Sequence, residues 1–365
     1  CPGHGPFNIS YSPEVIAVLR TIAYYSNEVY GNSIIYLSPF NIAANVFSAA
    51  VLLTKDLRNP FNVLLSIMCL ECAVPLVIRA TNVYRQIIEG GVCTVETRTY
   101  SMALHDLIVY NSWAPFRAAY TWSTAFLTYL RYRALRSKGK WEASYSLVIS
   151  GAALVCAIAA SAGIPTYLTN IITLEPLYAA CGIPETAENN ATLVPRNRWS
   201  PTLYDNNCLI FYINQGVSGV FHNALPGLLL FVFTVLLAFE IGKVISALFF
   251  INTLNTFRSD NAAKAARMLS VVAVLTLLSE LPQGIVCLAN IVLPIGFEFN
   301  YSRLLTGLWL SIQNIATSCN LLIYLAMSRA FRKAVADLFC FWKKANTSSA
   351  QVSVISVSTA ITLKK

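Results

Sequence analysis

The sequence predicts an all-α membrane protein, a seven-transmembrane helix bundle with a short amphipathic eighth helix. The chain of 365 residues is 56% hydrophobic and only 12% charged, whereas soluble domains carry about 25% charged residues. Seven windows of about 20 residues lack charge or nearly so, and that length crosses a hydrocarbon core ~30 Å thick. The lysines fall in alternate links between these windows, at the end of the fifth window next to such a link, and after the last window.

The third predicted span is the least apolar of the set. The predicted spans are 33–54, 61–82, 100–132, 145–168, 217–247, 268–293 and 302–327. At ~3.6 residues per turn, one stripe of the third span collects Asp106, Trp113, Arg117, Thr124, Thr128 and Arg131. Hydrocarbon cannot satisfy a carboxylate or a guanidinium, so the stripe is expected to face other helices or a water-filled cavity. An ordinary helix–helix contact is the alternative interpretation.

The distribution of lysine also predicts the orientation of the chain. Cytoplasmic links retain Lys and Arg, so the C-terminus is expected inside a multi-pass plasma-membrane protein and the N-terminus outside. Three glycosylation sequons lie in segments predicted to be outside, at Asn8, Asn190 and Asn300. The net charge of +9 therefore reflects topology, and no nucleic-acid partner is expected.

The flanking segments divide the chain further. The predicted parts are an extracellular segment 1–32, the bundle 33–327, an amphipathic juxtamembrane helix 328–344 and a disordered cytoplasmic tail 345–365. In the juxtamembrane helix, apolar residues recur at helical spacing among basic ones, as in helices that lie on the inner leaflet. Cys340 at its end is a candidate for palmitoylation. One disulfide is expected among the outer cysteines Cys93, Cys181 and Cys208, with the pairing open.

Two buried carboxylates are predicted in the middle of spans. Glu71 lies in span two, where it is expected to be protonated, paired or part of an ion site. Glu280 lies two residues before Pro282 in span six. A proline removes a helix hydrogen bond and produces a bend, so Pro282 is a candidate hinge.

Several motifs occur in an order and spacing that resemble those of one receptor family. They are Trp122 through Arg131-Tyr132, Ala224-Leu-Pro226, Arg267-Met-Leu269, Glu280-Leu-Pro-Gln-Gly284, Asn320-Leu-Leu-Ile-Tyr324 and Met327-Ser-Arg-Ala-Phe-Arg332. Over about residues 33–342 the chain resembles rhodopsin-like (class A) G-protein-coupled receptors. It resembles more narrowly the FMRFamide/myosuppressin-type neuropeptide receptors and the serpentine receptor class W group.

The resemblance implies roles for individual residues. Arg131 and Tyr132 match the acidic-Arg-Tyr motif that meets the G protein, with Leu130 in place of the acidic residue. Asn320 and Tyr324 match the Asn-Pro-x-x-Tyr motif of span seven. The resemblance therefore implies that these residues and the hinge Pro282 transmit ligand binding to the G protein.

The resemblance also implies a ligand site and an ion site. Ligand-binding residues are expected to be Asp106, Trp113, Arg117, Glu280 and Gln283. Family geometry would place Arg117 near Glu280, and we hypothesise that the two form a buried ion pair. Glu71 resembles the span-two aspartate that binds sodium in relatives.

The expected function is that of a receptor which binds an extracellular peptide, most simply an FMRFamide-like neuropeptide, and activates a heterotrimeric G protein. The outer carboxylates that could attract a cationic peptide are Glu175, Glu185, Glu188 and Asp205. The Ser/Thr-rich tail is a candidate arrestin site, and the bundle and its juxtamembrane helix contact membrane lipids.

Three alternative functions follow from, or are weighed against, the same sequence features. A chemosensory receptor of the same fold would bind a small molecule. A transporter or channel is disfavoured by the odd span count and the absence of an evident inverted repeat. An enzyme is not expected, because no nucleophile motif, nucleotide loop or metal spacing is present, and no cofactor is predicted.

Overall fold

The computed structural model describes residues 13–88, 94–137, 140–181, 183–250, 256–292 and 303–339. Seven long helices and a short eighth one account for most of these residues. They are α1 (Pro13–Leu52), α2 (Pro60–Ile88), α3 (Tyr100–Arg136), α4 (Tyr145–Thr169), α5 (Asp205–Ser218, Gly219–Ala224 and Leu225–Phe250 in succession), α6 (Thr256–Val292), α7 (Arg303–Met327) and α8 (329–339). The bundle predicted from the apolar windows is confirmed.

Helix α1 is much longer than its predicted span. It begins at Pro13, so most of the segment 1–32, which we expected to be outside the bundle, is helical. A proline in the first turn costs no hydrogen bond, and Glu14 in that turn is favoured by the helix dipole. At 1.5 Å per residue, 40 residues extend for ~60 Å, twice the thickness of the hydrocarbon core.

Six of the described helices are apolar enough to be recognised as membrane spans from length and composition. Helix α3 is the long described helix that does not meet this hydropathy criterion, and it carries the polar stripe. Its polarity follows from its position, since the stripe lies against other helices. Thr121, Thr124 and Thr128 are fully buried, and each hydroxyl donates to the carbonyl four residues earlier in α3.

Small residues allow α4 to approach α3 closely, as its composition predicts. A Cβ atom added to Gly151 would meet the ring of Phe126, and one added to Gly163 would lie 2.7 Å from Cγ of Pro115. Both glycines therefore lie at contacts where the surfaces of the two helices have no spare volume.

The segment between α4 and α5, which the distribution of lysine predicts to be outer, contains a β-hairpin, whereas the sequence predicted a long loop. Strand β1 (Asn170–Pro176) pairs antiparallel with β2 (Leu193–Trp199), from Asn170 opposite Trp199 to Pro176 opposite Leu193. Glu175 forms ion pairs across the hairpin with Arg196 and Arg198. Its carboxylate is therefore already engaged by this chain's own cations.

The largest cluster of buried apolar residues lies in the inner half of the bundle, where it joins α2, α3, α6 and α7. Helix α8 is attached to this cluster by Phe331, whose ring centroid lies 5.7 Å from that of Tyr324. The outer half is less apolar in its packing and contains the polar residues described next.

Candidate functional site

A buried ion pair links α3 to α6. Nη2 of Arg117 lies 3.0 Å from Oε2 of Glu280, and the two side chains are only 6% and 1% exposed. The predicted pair is therefore present. Each charge in such a place is costly alone, and pairing offsets that cost.

Two further helices join this ion pair. Arg117 donates a hydrogen bond to Oδ1 of Asn223 in α5. Gln313 of α7 donates through Nε2 to Oε1 of Glu280 at 2.5 Å. The four side chains, which we call the ion-pair node (Arg117, Asn223, Glu280, Gln313), tie α3, α5, α6 and α7 together.

The middle segment of α5 is a π-helix, which positions Asn223. The N–H of Leu225 bonds to the carbonyl of Val220, five residues earlier. Pro226 follows directly and has no N–H to continue the normal ladder. The ring of Trp122 donates to the carbonyl of Phe221 at 2.8 Å, so α3 also holds this turn. Such π-segments are frequent at functional sites.

An outer cavity of about 590 Å³ lies between the outer ends of the helices and the β-hairpin. Its lining includes Asp106 and Trp113, which we predicted to be at the ligand site, together with Arg79, Arg98 and Arg196. Asp106 lies 4.0 Å from Nη1 of Arg98 and 3.5 Å from Nδ1 of His105. The volume is within the range of small-molecule sites.

A smaller cavity of about 50 Å³ is lined by deeper residues of the same helices. Arg117 and Glu71 line it, together with Gln313 of the ion-pair node. Glu280 lines neither cavity and is reached through Arg117. Gln283 also lines neither cavity, and its place at the ligand site stays a prediction.

Trp113 separates two guanidinium groups. The Cζ atom of Arg79 lies 3.9 Å from the centroid of the indole, and that of Arg117 lies 4.9 Å from it. Arg79 and Trp113 line both cavities. The indole therefore connects a cation of the outer cavity to the ion-pair node by contacts that are each attractive.

Glu71 is buried on α2 beside the smaller cavity. Its Oε1 accepts from the hydroxyl of Ser123 at 3.0 Å and from Sγ of Cys156 at 3.5 Å, while Oε2 has no hydrogen-bond partner. No group of three metal-ligating side chains occurs among the described residues.

The inner end of α3 carries the residues that the resemblance assigns to G-protein contact. The guanidinium of Arg131 lies 3.9 Å from the centroid of Phe61, and no described carboxylate pairs with it. Leu130 is 1% exposed within the apolar core. Tyr132 accepts a hydrogen bond from Arg136 through its hydroxyl.

The remaining predicted coupling residues are in α6 and α7. Pro282 lies inside α6, two residues from Glu280. Asn320 and Tyr324 are buried, and the hydroxyl of Tyr120 in α3 lies 3.3 Å from that of Thr276 in α6. Polar contacts between α3 and α6 therefore continue inward from the ion-pair node.

The predicted modification sites are only partly described. Asn190 is exposed in the short helix Ala187–Ala191 of the outer segment. Asn8, Asn300 and Cys340 lie outside the described residues. Cys181 is disulfide-bonded.

Sequence reasoning missed three residues of the site. A polar residue in an otherwise apolar membrane helix usually faces the interior of the bundle. This signal could have identified the three residues, which are Arg79, Asn223 and Gln313. Their partners could not be identified without the rotation of each helix.

The described helices form a bundle with a polar column on α3 and a proline beside Glu280 on α6. A family model described as "Serpentine type 7TM GPCR chemoreceptor Srw" matches residues 32–342, and the chain belongs to this family. The fold is similar to that of squid rhodopsin, whose crystal structure gives a TM-score of 0.57 at 13% sequence identity, over 93% of this chain and 89% of that chain. No curated protein sequence matches the chain.

Proposed function

We propose that the chain is a plasma-membrane receptor that binds an extracellular ligand in the outer cavity and activates a heterotrimeric G protein at its inner face. The observation that supports this most is the continuous set of contacts from the outer cavity to α6, through Arg79, Trp113, Arg117 and Glu280. The orientation, with the N-terminus outside, rests on the distribution of lysine.

In this proposal the ion-pair node restrains α6 in the resting receptor. Glu280 is attached to α6 one half-turn from Pro282, so a change in its pairing acts close to the hinge. A ligand shifts the conformation only by as much as its affinity differs between the two states. Displacement of Trp113 or Arg117 by a bound ligand would supply such a difference.

The inner end of α3 then contacts the G protein through Arg131 and Tyr132. With Leu130 in place of the acidic residue, no carboxylate of the described part of the chain pairs with Arg131, and its guanidinium contacts the ring of Phe61 instead. The restraint on the resting state is therefore assigned to the Arg117–Glu280 pair. Arrestin binding to the Ser/Thr-rich tail remains a proposal, since the tail lies outside the described residues.

The first candidate ligand is a small molecule, so that the receptor would be chemosensory. Membership of a family described as chemoreceptors and a cavity of about 590 Å³ both favour this class.

The second candidate is an FMRFamide-like neuropeptide. The resemblance of the Glu-Leu-Pro-Gln-Gly and Met-Ser-Arg runs supports it, and Asp106 in the cavity lining is a carboxylate that a cationic peptide could approach. The expected attraction by Glu175 is weakened, because Arg196 and Arg198 already pair with that carboxylate.

The experiment is a screen of small molecules and amidated peptides on cells that express the receptor with an N-terminal epitope. Staining of intact cells reports orientation and surface level, and dissociation of G-protein subunits reports activation. We expect at least one ligand to activate the wild-type receptor and not Arg131→Ala at equal surface level. Ligand-driven substrate flux without G-protein activation, or an epitope accessible only after permeabilisation, would overturn the proposal.

A further inference from the structure

Helix α1 is longer than the membrane that it crosses. It ends at Leu52, shortly before a link that contains Lys55 and Asp56, and about 20 residues of helix cross a hydrocarbon core ~30 Å thick. The residues 13–32, which we call the α1 extension, continue outward for ~30 Å, of which the headgroup region covers only ~5–8 Å. Most of the α1 extension therefore lies in water.

One face of the α1 extension is attached to α7. Ala23 and Ser26 are buried, and the carbonyl of Ser26 accepts a hydrogen bond from the hydroxyl of Ser311 at 3.4 Å. A Cβ atom added to Gly307 of α7 would meet the side chain of Asn27. These contacts fix the base of the extension on the bundle, and they use only one side of the helix.

A second face of the α1 extension carries an exposed apolar stripe with the spacing of a coiled coil. Its members recur three and four residues apart in alternation, and each is between 39% and 62% exposed: Val15, Val18, Ile22, Tyr25 and Val29. This 3.5-residue repeat places all five side chains on one seam, and such a seam is normally covered by a second helix. No charged residue occupies a position of the stripe.

The residues of the stripe favour a second copy of the same chain as the covering helix. In heptad notation Val15, Ile22 and Val29 occupy the a positions, and β-branched residues at a favour parallel two-stranded coiled coils. Two copies inserted in one membrane have the same orientation, so their α1 helices are parallel. A two-fold axis along the membrane normal then brings each stripe residue to its own counterpart.

The charges of the α1 extension fit this arrangement. Glu14 and Glu28 occupy g positions, which in a parallel dimer lie opposite the e positions Leu19 and Ser33 of the other copy. Arg20 is at an f position, on the side of the helix away from the seam. Association of two copies therefore places no like charges opposite each other and buries no unpaired charge.

We propose that two copies of the receptor associate through α1, with the stripes of the two extensions packed as a parallel coiled coil outside the membrane. The inference goes beyond the proposed function, because the association requires neither the ligand nor the G protein. The same spacing continues into the membrane-crossing part of α1, where the exposed residues are Asn32, Tyr36, Pro39, Ala43 and Val46.

Disulfide crosslinking of the full-length receptor in cell membranes tests which face of α1 meets the other copy. Val18→Cys, Ile22→Cys and Tyr25→Cys each add a thiol on the seam, whereas Arg20→Cys and Tyr24→Cys add one on other exposed faces. After mild oxidation, we expect covalent dimers at the three seam positions and only the level of the wild-type chain at the other two.

Charge substitutions test whether the partner is the same chain. Val18→Glu and Tyr24→Glu are a matched pair, because the two side chains are 59% and 62% exposed on different faces of the helix. Val18→Glu places like charges opposite each other and should weaken association about tenfold or more, whereas Tyr24→Glu should leave it intact. Coexpression of Val18→Glu with Val18→Lys should restore the dimer, since position 18 meets itself. Counting the photobleaching steps of labelled receptors at equal surface density measures each result.

A wild-type receptor that is monomeric at every surface density would overturn the proposal. Equal crosslinking of Ile22→Cys and Tyr24→Cys would overturn it as well, and so would dimers of Val18→Glu as abundant as those of wild type. Failure of the coexpressed charge pair to restore the dimer would show that the stripe binds something other than its own copy. If Val18→Glu does not reach the surface, the pattern of cysteine crosslinking decides the question alone.

Discussion

Arg117 Nη2 lies 3.0 Å from Glu280 Oε2, and this contact joins the polar stripe of α3 to the helix that contains Pro282. Both groups are almost fully buried and shielded from bulk solvent. Removal of one charge leaves the other in a low-dielectric environment without compensation. The pair is therefore a point at which a small change can alter both stability and conformation.

The first prediction concerns stability. Arg117→Gln should destabilise the receptor by about 3–5 kcal/mol, because it leaves the carboxylate of Glu280 buried without a cation. The double variant Arg117→Gln, Glu280→Gln should recover part of that loss, and thermal unfolding of the four proteins of the cycle measures the coupling.

The control is the pair of half-buried Glu240 and exposed Lys243 on α5, in which Nζ of the lysine lies 2.8 Å from Oε1 of the glutamate. Lys243→Gln should change stability by about 1 kcal/mol or less. Equal losses for Arg117→Gln and Lys243→Gln, or simple additivity in the double variant, would show that the buried pair is not coupled.

The second prediction concerns the packing of α3 against α4. Gly163→Ala places a methyl group 2.7 Å from Cγ of Pro115, a ring atom that cannot swing away. Overpacking of this kind should cost about 1–3 kcal/mol. Gly227→Ala is the control, because nothing lies within 4 Å of the added carbon. A thermal unfolding temperature that is unchanged by Gly163→Ala would contradict the close approach of the two helices.

The third prediction concerns Glu71 as an ion site. Sodium in place of choline should change ligand affinity about fivefold or more in the wild-type receptor, the usual range of coupling between two sites. Glu71→Gln should abolish the change, because the free oxygen Oε2 is replaced by an amide nitrogen. An equal sodium effect in Glu71→Gln would place the ion elsewhere, and no effect in the wild-type receptor would remove the proposed site.

The fourth prediction concerns contact with the G protein. Arg131→Ala should lower ligand-driven nucleotide exchange about tenfold or more, as expected for loss of a charged hydrogen bond, while ligand affinity persists. Arg133→Ala is the matched control, since Arg133 stacks on Trp141 at 4.7 Å and is exposed. Similar losses in both variants would point to general basic charge at this end of α3 and not to Arg131.

Much of the fold could be predicted because lipid imposes strict rules on sequence. The seven apolar windows correspond to the seven long helices, and the polar stripe of α3 faces inward since hydrocarbon cannot satisfy Arg117. The Arg117–Glu280 pair was expected from family geometry, and the spacing of charge along either helix alone would not have found it.

Other features of the fold depend on packing between helices and could not be predicted from sequence patterns. The π-helical turn at Gly219–Ala224 contains His222 and Asn223 in an otherwise apolar helix, and no pattern in the sequence marks an extra residue there. Helix α1 extends out to Pro13, through residues that we assigned to the extracellular segment 1–32.

The basal G-protein activity of Glu280→Gln tests the central claim most directly, namely that the Arg117–Glu280 pair restrains α6. The substitution removes the charge and keeps the size of the side chain. The account predicts activity without ligand raised about tenfold over wild type at equal surface level, the effect of weakening the restraint by about 1.4 kcal/mol, with Glu240→Gln unchanged. Basal activity at or below the wild-type level in well-expressed Glu280→Gln would contradict it.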